Sequence, residues 1–330
     1  MRIGITCDLR KDYLALGFTA EQVAEFDSEE TLQAIVRALG ALGHEPDVIG
    51  HARELCRRLV AGERWDLVFN ICEGLHGRSR EAQVPAILDV YDIPYTFSDP
   101  LTSAVTLDKA AAKRLVQACG LRTAAFRVVA SPEEAEALAR DGGLAFPLFA
   151  KPLAEGTGKG IDARSRIDAP AELAGRCRAL LEQHRQPVLV EEYLPGREFT
   201  TGVLGTGPAA HPIGTLEIAV RDAAATGIYS YENKEFCESL VNYSRLEPGA
   251  LRNRVEALAV AAYRALECRD GGRVDIRLDA AGEPCFLEVN PLAGLHPFHS
   301  DLPMVATAEG MSYETLIGGI VDSARARHGL

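Results

Sequence analysis

Three side chains that carry oxygen ligands lie on two apolar segments near the end of the chain. Asp275 falls within one segment, and Glu288 and Asn290 fall at the end of the next, after a turn-like stretch. If the segments pair as antiparallel strands, Asp275 can face Glu288, and Asn290 shares the face of Glu288 because strand side chains alternate. Two carboxylates and an amide oxygen suit Mg²⁺, which completes its shell with water and phosphate oxygens. The alternative is a pair of solvated surface carboxylates.

A glycine-rich loop follows a strand-like segment that ends on Lys151. The loop, residues 155–161, has glycine at three alternate positions, so its backbone amides can approach phosphate oxygens. It matches neither the P-loop nor the dinucleotide-binding GxGxxG pattern. A flexible turn is the alternative, but the position between a strand that ends on lysine and a strand expected near Ile161 favours a hairpin that covers phosphates.

Two further segments offer groups to the same kind of site. Residues 188–194 and 198–204 form a strand and its return strand, which can present backbone groups and a carboxylate to an adenine and a ribose. His76 lies in a loop after another strand, where ligands bind in parallel α/β sheets, although a purely structural hydrogen bond explains it equally well. Lys109 and Lys113 lie in a helical pattern, and such lysines are usually solvated.

The elements that must position these residues alternate between strand and helix in the first hundred residues. Apolar runs at residues 3–7, 46–50 and 66–70 are separated by helical patterns, one of which begins at Asp27-Ser28. This order predicts a parallel sheet covered by helices. We also predict irregular structure over residues 8–26 and a strand over 93–97. Helices are expected over 102–119, from Ser131-Pro132 and over 251–266, and residues 304–327 are expected to form one helix or a pair of helices.

The composition is that of an acidic, folded protein. The chain has 330 residues and a formal net charge of −12, and its length predicts two or three domains. It has no basic block, which argues against nucleic acid as a partner. Its eight cysteines include no CxxC pair and are typical of reduced, buried thiols. Without a signal peptide or an apolar run of spanning length, we expect a cytoplasmic protein with no membrane partner.

Taken together and in order, these motifs resemble those of the ATP-grasp superfamily and, within it, the D-alanine–D-alanine ligase family. The resemblance runs nearly end to end, from His76 to Tyr313. Each motif is weak alone, whereas the ordered set is specific. The motifs are Leu107-Asp108-Lys109, Lys151-Pro152, the loop 155–161, residues 191–200, residues 229–234, Arg273-Val274-Asp275, Leu287-Glu288-Val289-Asn290 and residues 309–313.

The resemblance implies an α/β fold, α+β in part, with three domains. An N-terminal parallel α/β domain would span residues 1–100, a central small domain 101–187, and a C-terminal domain with the metal site 188–330. The last two, both α+β, would clamp ATP. The family's habit also implies a homodimer.

The resemblance further implies a role for each matching residue. Lys234 would reach the γ-phosphate, and Arg273 would steady the transferring phosphate and the tetrahedral intermediate. The metal set would hold two Mg²⁺ ions, with Mn²⁺ as an alternative. The nucleotide set of lysines, lid, adenine hinge and ribose carboxylate is Lys109, Lys151, Glu155, Gly156, Thr157, Gly158, Gly160, Glu191, Glu192, Tyr193, Leu194 and Glu198. The substrate pockets would be lined by His76, Glu81, Tyr229, Glu235, Gly294, Ser300 and Asp301.

The activity implied is ATP-dependent amide formation from a small-molecule carboxylate and an amine. The carboxylate attacks the γ-phosphate and gives an acyl phosphate and ADP; the amine then attacks the acyl carbon, and phosphate leaves. Such a reaction needs positioning and charge neutralisation more than covalent catalysis by the protein. ATP and Mg²⁺ are therefore the expected cofactors.

The chain departs from the family in the amino-acid pockets. The N-terminal Gly-Gly-x-Ser-x-Glu segment, whose glutamate holds the first substrate's ammonium, is absent, and Glu25 or Asp27 is the candidate replacement. Glu235 stands where the family has tyrosine. Asp301 lies where the second substrate's carboxylate would bind; it either caps the following helix or indicates an acceptor with a cationic or uncharged tail.

These departures favour a paralogue with altered substrate pockets that forms a dipeptide-like amide. Two alternatives remain. One is an authentic D-alanine–D-alanine ligase of peptidoglycan synthesis. The other is a catalytically inactive, ATP-binding regulatory protein, against which the complete set of lysines, arginine and metal-type side chains argues.

Overall fold

The structure, a computed structural model, describes residues 1–220 and 241–330. Its strands are β1 Arg2–Cys7, β2 Glu45–Gly50, β3 Leu67–Ile71, β4 Phe126–Val129, β5 Leu148–Pro152, β6 Arg166–Ile167, β7 Val188–Glu192, β8 Glu198–Leu204, β9 His211–Val220, β10 Val241–Arg245, β11 Gly271–Leu278 and β12 Pro284–Asn290. Its helices are α1 Arg10–Ala15, α2 Glu29–Ala41, α3 Ala52–Val60, α4 Gln83–Val90, α5 Pro100–Leu107, α6 Lys109–Ala118, α7 Pro132–Asp141, α8 Pro170–His184, α9 Ala250–Ala265, α10 Asp301–Ala308 and α11 Tyr313–His328. One sheet is parallel and two are antiparallel, which confirms the predicted mixed class. None of the helices in the described ranges combines the length and apolar character that a bilayer span requires.

The N-terminal sheet has β1 at its centre, with β2 and β3 parallel to it on either side. Every residue of β3 is buried although β3 is an edge strand, because residues 94–96 hydrogen-bond to Val68 along its outer side. Helix α2 begins at the predicted position, because the Ser28 hydroxyl accepts a hydrogen bond from the Thr31 backbone N–H. Asp8 and the loop after β3 leave this sheet at the same carboxyl edge, where Asp8 accepts from the Gly74 backbone N–H at 2.9 Å and Glu73 lines the cavity described below.

The central sheet has the strand order β4-β7-β5-β6 and is antiparallel. Helices α7 and α8 pack on it through an apolar cluster that includes Leu173 and Leu180. Helix α7 begins at the predicted Ser131, whose hydroxyl accepts from the Glu134 backbone N–H. Strand β7, which a domain boundary at 187/188 would assign to the C-terminal domain, pairs with β4 and β5; we therefore place the proposed boundary after β7.

The C-terminal sheet has the order β10-β9-β8-β11-β12 and is also antiparallel. Helix α9 covers it with fully buried side chains that recur at helical spacing, among them Val255, Ala259 and Tyr263. Strands β11 and β12 form the predicted hairpin. In its register Asp275 lies opposite Glu288, and the pairing shifts immediately after Asp275.

Four local predictions were wrong. The single helix predicted over residues 102–119 is two helices, because the Asp108 carboxylate accepts from the Ala111 backbone N–H and starts α6 after α5 has ended. Residues 93–97 form no strand, and only Tyr95 makes an isolated bridge, to Val68. Helix α1 lies within the segment predicted to be irregular, and the strand expected near Ile161 begins at β6 instead.

Candidate active site

The hairpin β11–β12 brings the three metal-type side chains together. Asp275 and Glu288 are paired residues on adjacent strands, and Asn290 follows two residues after Glu288. Among the described residues, the buried amide nitrogen of Asn290 has no hydrogen-bond partner, and an amide can present its oxygen at the same place. This set has only two carboxylates, and the described ranges contain no cluster of three or more His, Cys, Asp and Glu side chains that would suit a metal held by the protein alone. The set therefore fits Mg²⁺ through two carboxylates and an amide, with the remaining ligands drawn from water and phosphate.

Arg273 lies beside this hairpin between two carboxylates. Its guanidinium donates to Asp275, and its Nε lies 3.4 Å from Oδ2 of Asp301. Burial would lower the pKa of Arg273, but the flanking carboxylates raise it above its ordinary value. Helix α10 has Ser300 at its N-cap, and Asp301 is its first residue. The expectation that Asp301 caps this helix and points away is therefore wrong: its side chain faces Arg273.

The two phosphate-type lysines lie on the central part of the chain and approach the same hairpin. Lys109, at the start of α6, donates to the Glu155 backbone carbonyl at 2.6 Å and lies 3.5 Å from Glu288 Oε2. Lys151, at the end of β5, lies 2.9 Å from Glu191 Oε1. Both lysine side chains are about nine-tenths buried, so the expectation of solvated lysines is wrong for Lys109.

Lys113 is the functional residue that sequence reasoning most clearly misjudged. The helical pattern alone predicts a solvated lysine, whereas the side chain is fully buried and lies 2.8 Å from Glu191 Oε2. Burial would raise the pKa of Glu191, but Lys113 and then Lys151 outweigh it and lower that pKa to about 2. Glu191 is therefore an ionised carboxylate in the interior, held between two ammonium groups.

A second recess lies over this charged group and contains most of the predicted hinge. Tyr193, Leu194 and Glu198 line it together with Lys151 and Glu191. Arg277 fixes its outer side, since it donates to Glu198 Oε2 and to the Tyr193 hydroxyl, both at 3.0 Å. Glu192 also lines the recess, but its carboxylate accepts from the Ala145 backbone N–H at 2.9 Å.

The glycine-rich loop lies between this recess and a larger cavity. Gly160 has φ of +72°, and a Cβ at this position would lie 2.6 Å from Pro152. Thr157, with φ of +49°, and Gly156 line the larger cavity, whereas Gly158 lines the recess. The loop thus lies at the junction of the two spaces.

The larger cavity has a volume of about 710 Å³, and it is lined by strands of the C-terminal sheet and by loops and helices of the N-terminal and central regions. The metal-type hairpin contributes Glu288 and Asn290, and Arg273 lies beside them. The loop after β12 contributes Gly294, Ser300 and Asp301. The remaining wall belongs to the N-terminal sheet and its loops, and it is acidic: it contains Glu25, Asp27, Glu73 and Glu81.

Glu25 ties this acidic wall to the lid. It lies 2.8 Å from Arg80, accepts from the Gly156 backbone N–H at 2.6 Å and lies 3.6 Å from Lys159. Burial opposes its ionisation, but Arg80 and Lys159 outweigh it and hold the pKa of Glu25 below its ordinary value. Of the two candidate replacements for the family's glutamate, Glu25 is thus the one in contact with the lid, while Asp27 also lines the cavity.

The other carboxyl groups of the wall hold their protons more tightly. Burial, together with neighbouring carboxylates, raises the pKa of Asp27 and of Glu81 to about 7. The same causes raise the pKa of Glu73 well above its ordinary value. Sequence reasoning missed Glu73, although its position just after β3, at the carboxyl edge of a parallel sheet, was the available signal.

One predicted residue, His76, lies apart from the cavity described above. His76 is exposed and does not line the cavity; its backbone carbonyl accepts from Gln83 at 3.0 Å. Tyr229, Lys234 and Glu235 lie outside the described residues.

Comparison with known proteins places the chain among ATP-grasp ligases. The family model described as the D-ala D-ala ligase C-terminus matches residues 115–322. A D-alanine–D-alanine ligase of Bordetella petrii is 37% identical over 276 residues, which cover 83% of this chain and 80% of that protein. An uncharacterized protein of Sinorhizobium fredii is 33% identical and covers 79% of this chain and 75% of its own length.

Solved structures agree on the fold. A D-alanine–D-alanine ligase of Bacillus anthracis, complexed with ATP, superposes with a TM-score of 0.75 at 23% identity and covers 100% of this chain and 99% of its own. The VanG D-Ala:D-Ser ligase of Enterococcus faecalis gives a TM-score of 0.74 at 22% identity, over 98% of this chain and 99% of its own. The predicted ATP-grasp architecture is thereby confirmed.

Proposed function

The chain belongs to the D-alanine–D-alanine ligase family of ATP-dependent, ADP-forming C–N ligases, and we propose that it joins the carboxylate of one amino acid to the amine of a second in the 710 Å³ cavity. The observation that carries this proposal is that three kinds of functional side chain line one cavity. Metal-type oxygens, a buried arginine and a carboxylate wall line a single space beside the lid. Amide formation through an acyl phosphate requires these groups: charge neutralisation, an anion clamp and a site for an ammonium.

We propose that ATP lies across the junction between the recess and the cavity. The recess under Tyr193 and Leu194 suits the adenine, Glu198 suits the ribose hydroxyls, and Lys109 and Lys151 would contact phosphates. Asp275, Glu288 and Asn290 would hold Mg²⁺, in our proposal two ions. When bound, Mg²⁺ neutralises phosphate charge and orients the transferred group.

The first amino acid would lie against the acidic wall. Its ammonium would pair with Glu25, which is ionised and already held against the lid by Gly156. Its carboxylate would then face the phosphate end of the nucleotide and attack the γ-phosphorus, so that ADP leaves and an acyl phosphate forms. The amine of the second amino acid attacks the acyl carbon, phosphate departs, and the amine nitrogen loses a proton.

Arg273 would stabilise the charge that develops in both steps. It is buried and charged, and it lies beside the metal-type side chains on the cavity wall. The folded lid would exclude water, because an acyl phosphate that meets water is hydrolysed instead of joined to the amine. Lys234 would add a further cation at the γ-phosphate.

The identity of the acceptor has a second candidate. The names of the relatives favour D-alanine in both pockets. The ion pair between Arg273 and Asp301 favours an acceptor that has no free carboxylate, because Asp301 neutralises the nearest cation and would repel an anion. An amino-acid amide or a cationic amine fits that pocket, as proposed for a paralogue with altered specificity.

One assay tests both candidates. We expect Mg²⁺-dependent release of phosphate from ATP with D-alanine alone if the first candidate holds. We expect release only when D-alanine is supplied with D-alaninamide or another amine if the second holds. Glu288→Gln should reduce either activity by at least about a hundredfold while the thermal midpoint stays within a few degrees, because only a proposed metal ligand is lost. No release with pooled amino acids and amines, or full activity of Glu288→Gln, would contradict the proposal.

We also propose a cytoplasmic location and a homodimer. The support for both proposals is the family to which the chain belongs. Analytical ultracentrifugation of the purified chain checks the assembly.

A further inference from the structure

The interior of the nucleotide half contains a row of three charges on three different elements. Lys113 is on α6, Glu191 is on β7 and Lys151 is at the end of β5. Glu191 divides its carboxylate between the lysines: Oε2 lies 2.8 Å from Lys113 and Oε1 lies 2.9 Å from Lys151. The exposed fractions of the three side chains are 0%, 4% and 8%, so water screens this row very little.

Lys113 is anchored on its other side by the C-terminal sheet. Its Nζ donates to the Thr123 hydroxyl at 2.7 Å and lies 3.4 Å from the Phe286 backbone carbonyl. Thr123 itself donates to that carbonyl at 2.7 Å. The ammonium therefore links α6 to the central sheet through the ion pair with Glu191, and to β12 through hydrogen bonds to Thr123 and Phe286.

The three charges differ in their access to the nucleotide recess. Glu191 and Lys151 line the recess, whereas Lys113 does not. Lys113 therefore acts on the recess through the groups that it contacts, and of these groups Glu191 is the one that lines the recess in the described part of the chain. Without Lys113, Glu191 would pair with Lys151 alone among the described residues. The row would then have no net charge, whereas the three charges together have a net charge of plus one.

We propose that Lys113 is a positioning residue for ATP, which holds Glu191 as a fixed, ionised acceptor under the adenine and leaves the charge of Lys151 free to act on phosphate. This inference rests on the nucleotide site proposed above. A salt bridge whose one role is to stabilise the fold would need only one lysine for Glu191. The second lysine gives the row an excess positive charge at the place where an anionic ligand is expected.

The consequence for a variant follows from electrostatics. Lys113 is the strongest of the attractions that keep Glu191 ionised, and Lys151 is the next. Lys151 also interacts with two more carboxylates, Glu198 and Glu288, so its charge is shared among several groups. In Lys113→Met, burial would therefore raise the pKa of Glu191 without sufficient compensation, and Glu191 would take up a proton as the pH falls.

The test is calorimetric titration with Mg·ATP at about pH 8 and about pH 5.5, with the affinity of each variant divided by that of the wild type at the same pH. This ratio cancels the protonation of ATP itself. For Lys113→Met we expect at least about tenfold weaker binding at the higher pH, and a larger loss at the lower pH. Lys113→Arg should recover most of the affinity because it restores the charge.

Val116→Ala is the matched control, since Val116 is fully buried on the same helix and carries no charge. It should lower the thermal midpoint but leave the binding ratio near one at both pH values. If Lys113→Met does not fold, Lys113→Gln decides, because its amide keeps hydrogen bonds but not the charge. A binding ratio near one for Lys113→Met and Lys113→Gln at both pH values would overturn the inference. A loss of binding in Val116→Ala equal to theirs at both pH values would overturn it as well. Absence of Mg·ATP binding by the wild type would instead refute the proposed nucleotide site itself.

Discussion

Glu81 illustrates how a single carboxyl group on the cavity wall affects stability. Burial raises its pKa from 4.5 to about 7. Between these values the unfolded chain has released the proton while the folded chain keeps it, so the free energy of unfolding falls as the pH rises through this window.

We therefore expect Glu81→Gln to stabilise the protein at about pH 8 by roughly 1–3 kcal/mol, and to have little effect at about pH 4. Urea unfolding at both pH values measures this difference. Glu182→Gln, at an exposed position of α8, is the control and should change neither value. Equal effects of Glu81→Gln at the two pH values would contradict the assignment.

Individual residues also show what sequence reasoning can reach. The oxygen ligands of the hairpin were predictable because their pairing needs only strand alternation and a turn. The burial of Lys113 was not, because it depends on Thr123 and Phe286 approaching from distant parts of the chain. The contact between Asp301 and Arg273 could not be predicted for the same reason, because it too joins segments that are distant along the chain.

At the scale of elements, α6 has the greatest effect on the nucleotide half. It begins with Lys109, contains Lys113 and is capped by Asp108. The Asp108 carboxylate accepts from the Ala111 backbone N–H at 3.0 Å and lies 2.5 Å from Arg78. A change at this cap therefore alters the start of a helix that carries two cations.

We expect Asp108→Ala to cost about 1 kcal/mol of stability and to weaken Mg·ATP binding by several-fold, because the first turn of α6 loses its cap. Thermal unfolding and calorimetry measure the two effects. Ser131→Ala removes the corresponding cap of α7, which carries none of the proposed ATP contacts. It should cost similar stability and leave binding unchanged; an equal loss of binding would refute a specific role of α6.

Helix boundaries were predictable where a local signal sets them. Ser28 and Ser131 begin helices at their predicted positions because a hydroxyl cap acts within three residues. The break between α5 and α6 had the same kind of signal in Asp108, which the apolar pattern across residues 102–119 obscured. The pairing of β7 within the central sheet had no such local signal, because the choice of strand partners depends on the whole sheet.

At the scale of the molecule, Asp270 joins distant segments. It is fully buried and accepts from the Phe97 backbone N–H at 2.8 Å, from the Ser323 hydroxyl at 2.9 Å and from Arg327 at 2.7 Å. These partners come from the end of the N-terminal region and from α11. Asp270 itself immediately precedes β11.

We expect Asp270→Asn to lower the free energy of unfolding by about 3 kcal/mol, because it leaves the charge of Arg327 without its buried partner. Asp322→Asn is the control: it removes an exposed ion pair of the same helix, with Arg325, and should change stability by less than about 0.5 kcal/mol. Urea unfolding compares the two. Similar losses in the free energy of unfolding for the two variants would show that the contacts of Asp270 contribute no more than a surface ion pair.

The cavity wall from the N-terminal sheet has a consequence for how this enzyme can diverge. Glu25, Asp27, Glu73 and Glu81 all precede residue 100, whereas the proposed ATP contacts all follow it. If the cavity acts as proposed, mutation or recombination within the first hundred residues would change which amino acid is activated and, except at Glu25, which contacts the lid, would leave the proposed nucleotide contacts unaltered. A chimera that joins this N-terminal region to the remainder of a relative should inherit its donor specificity from the first part and its ATP affinity from the second.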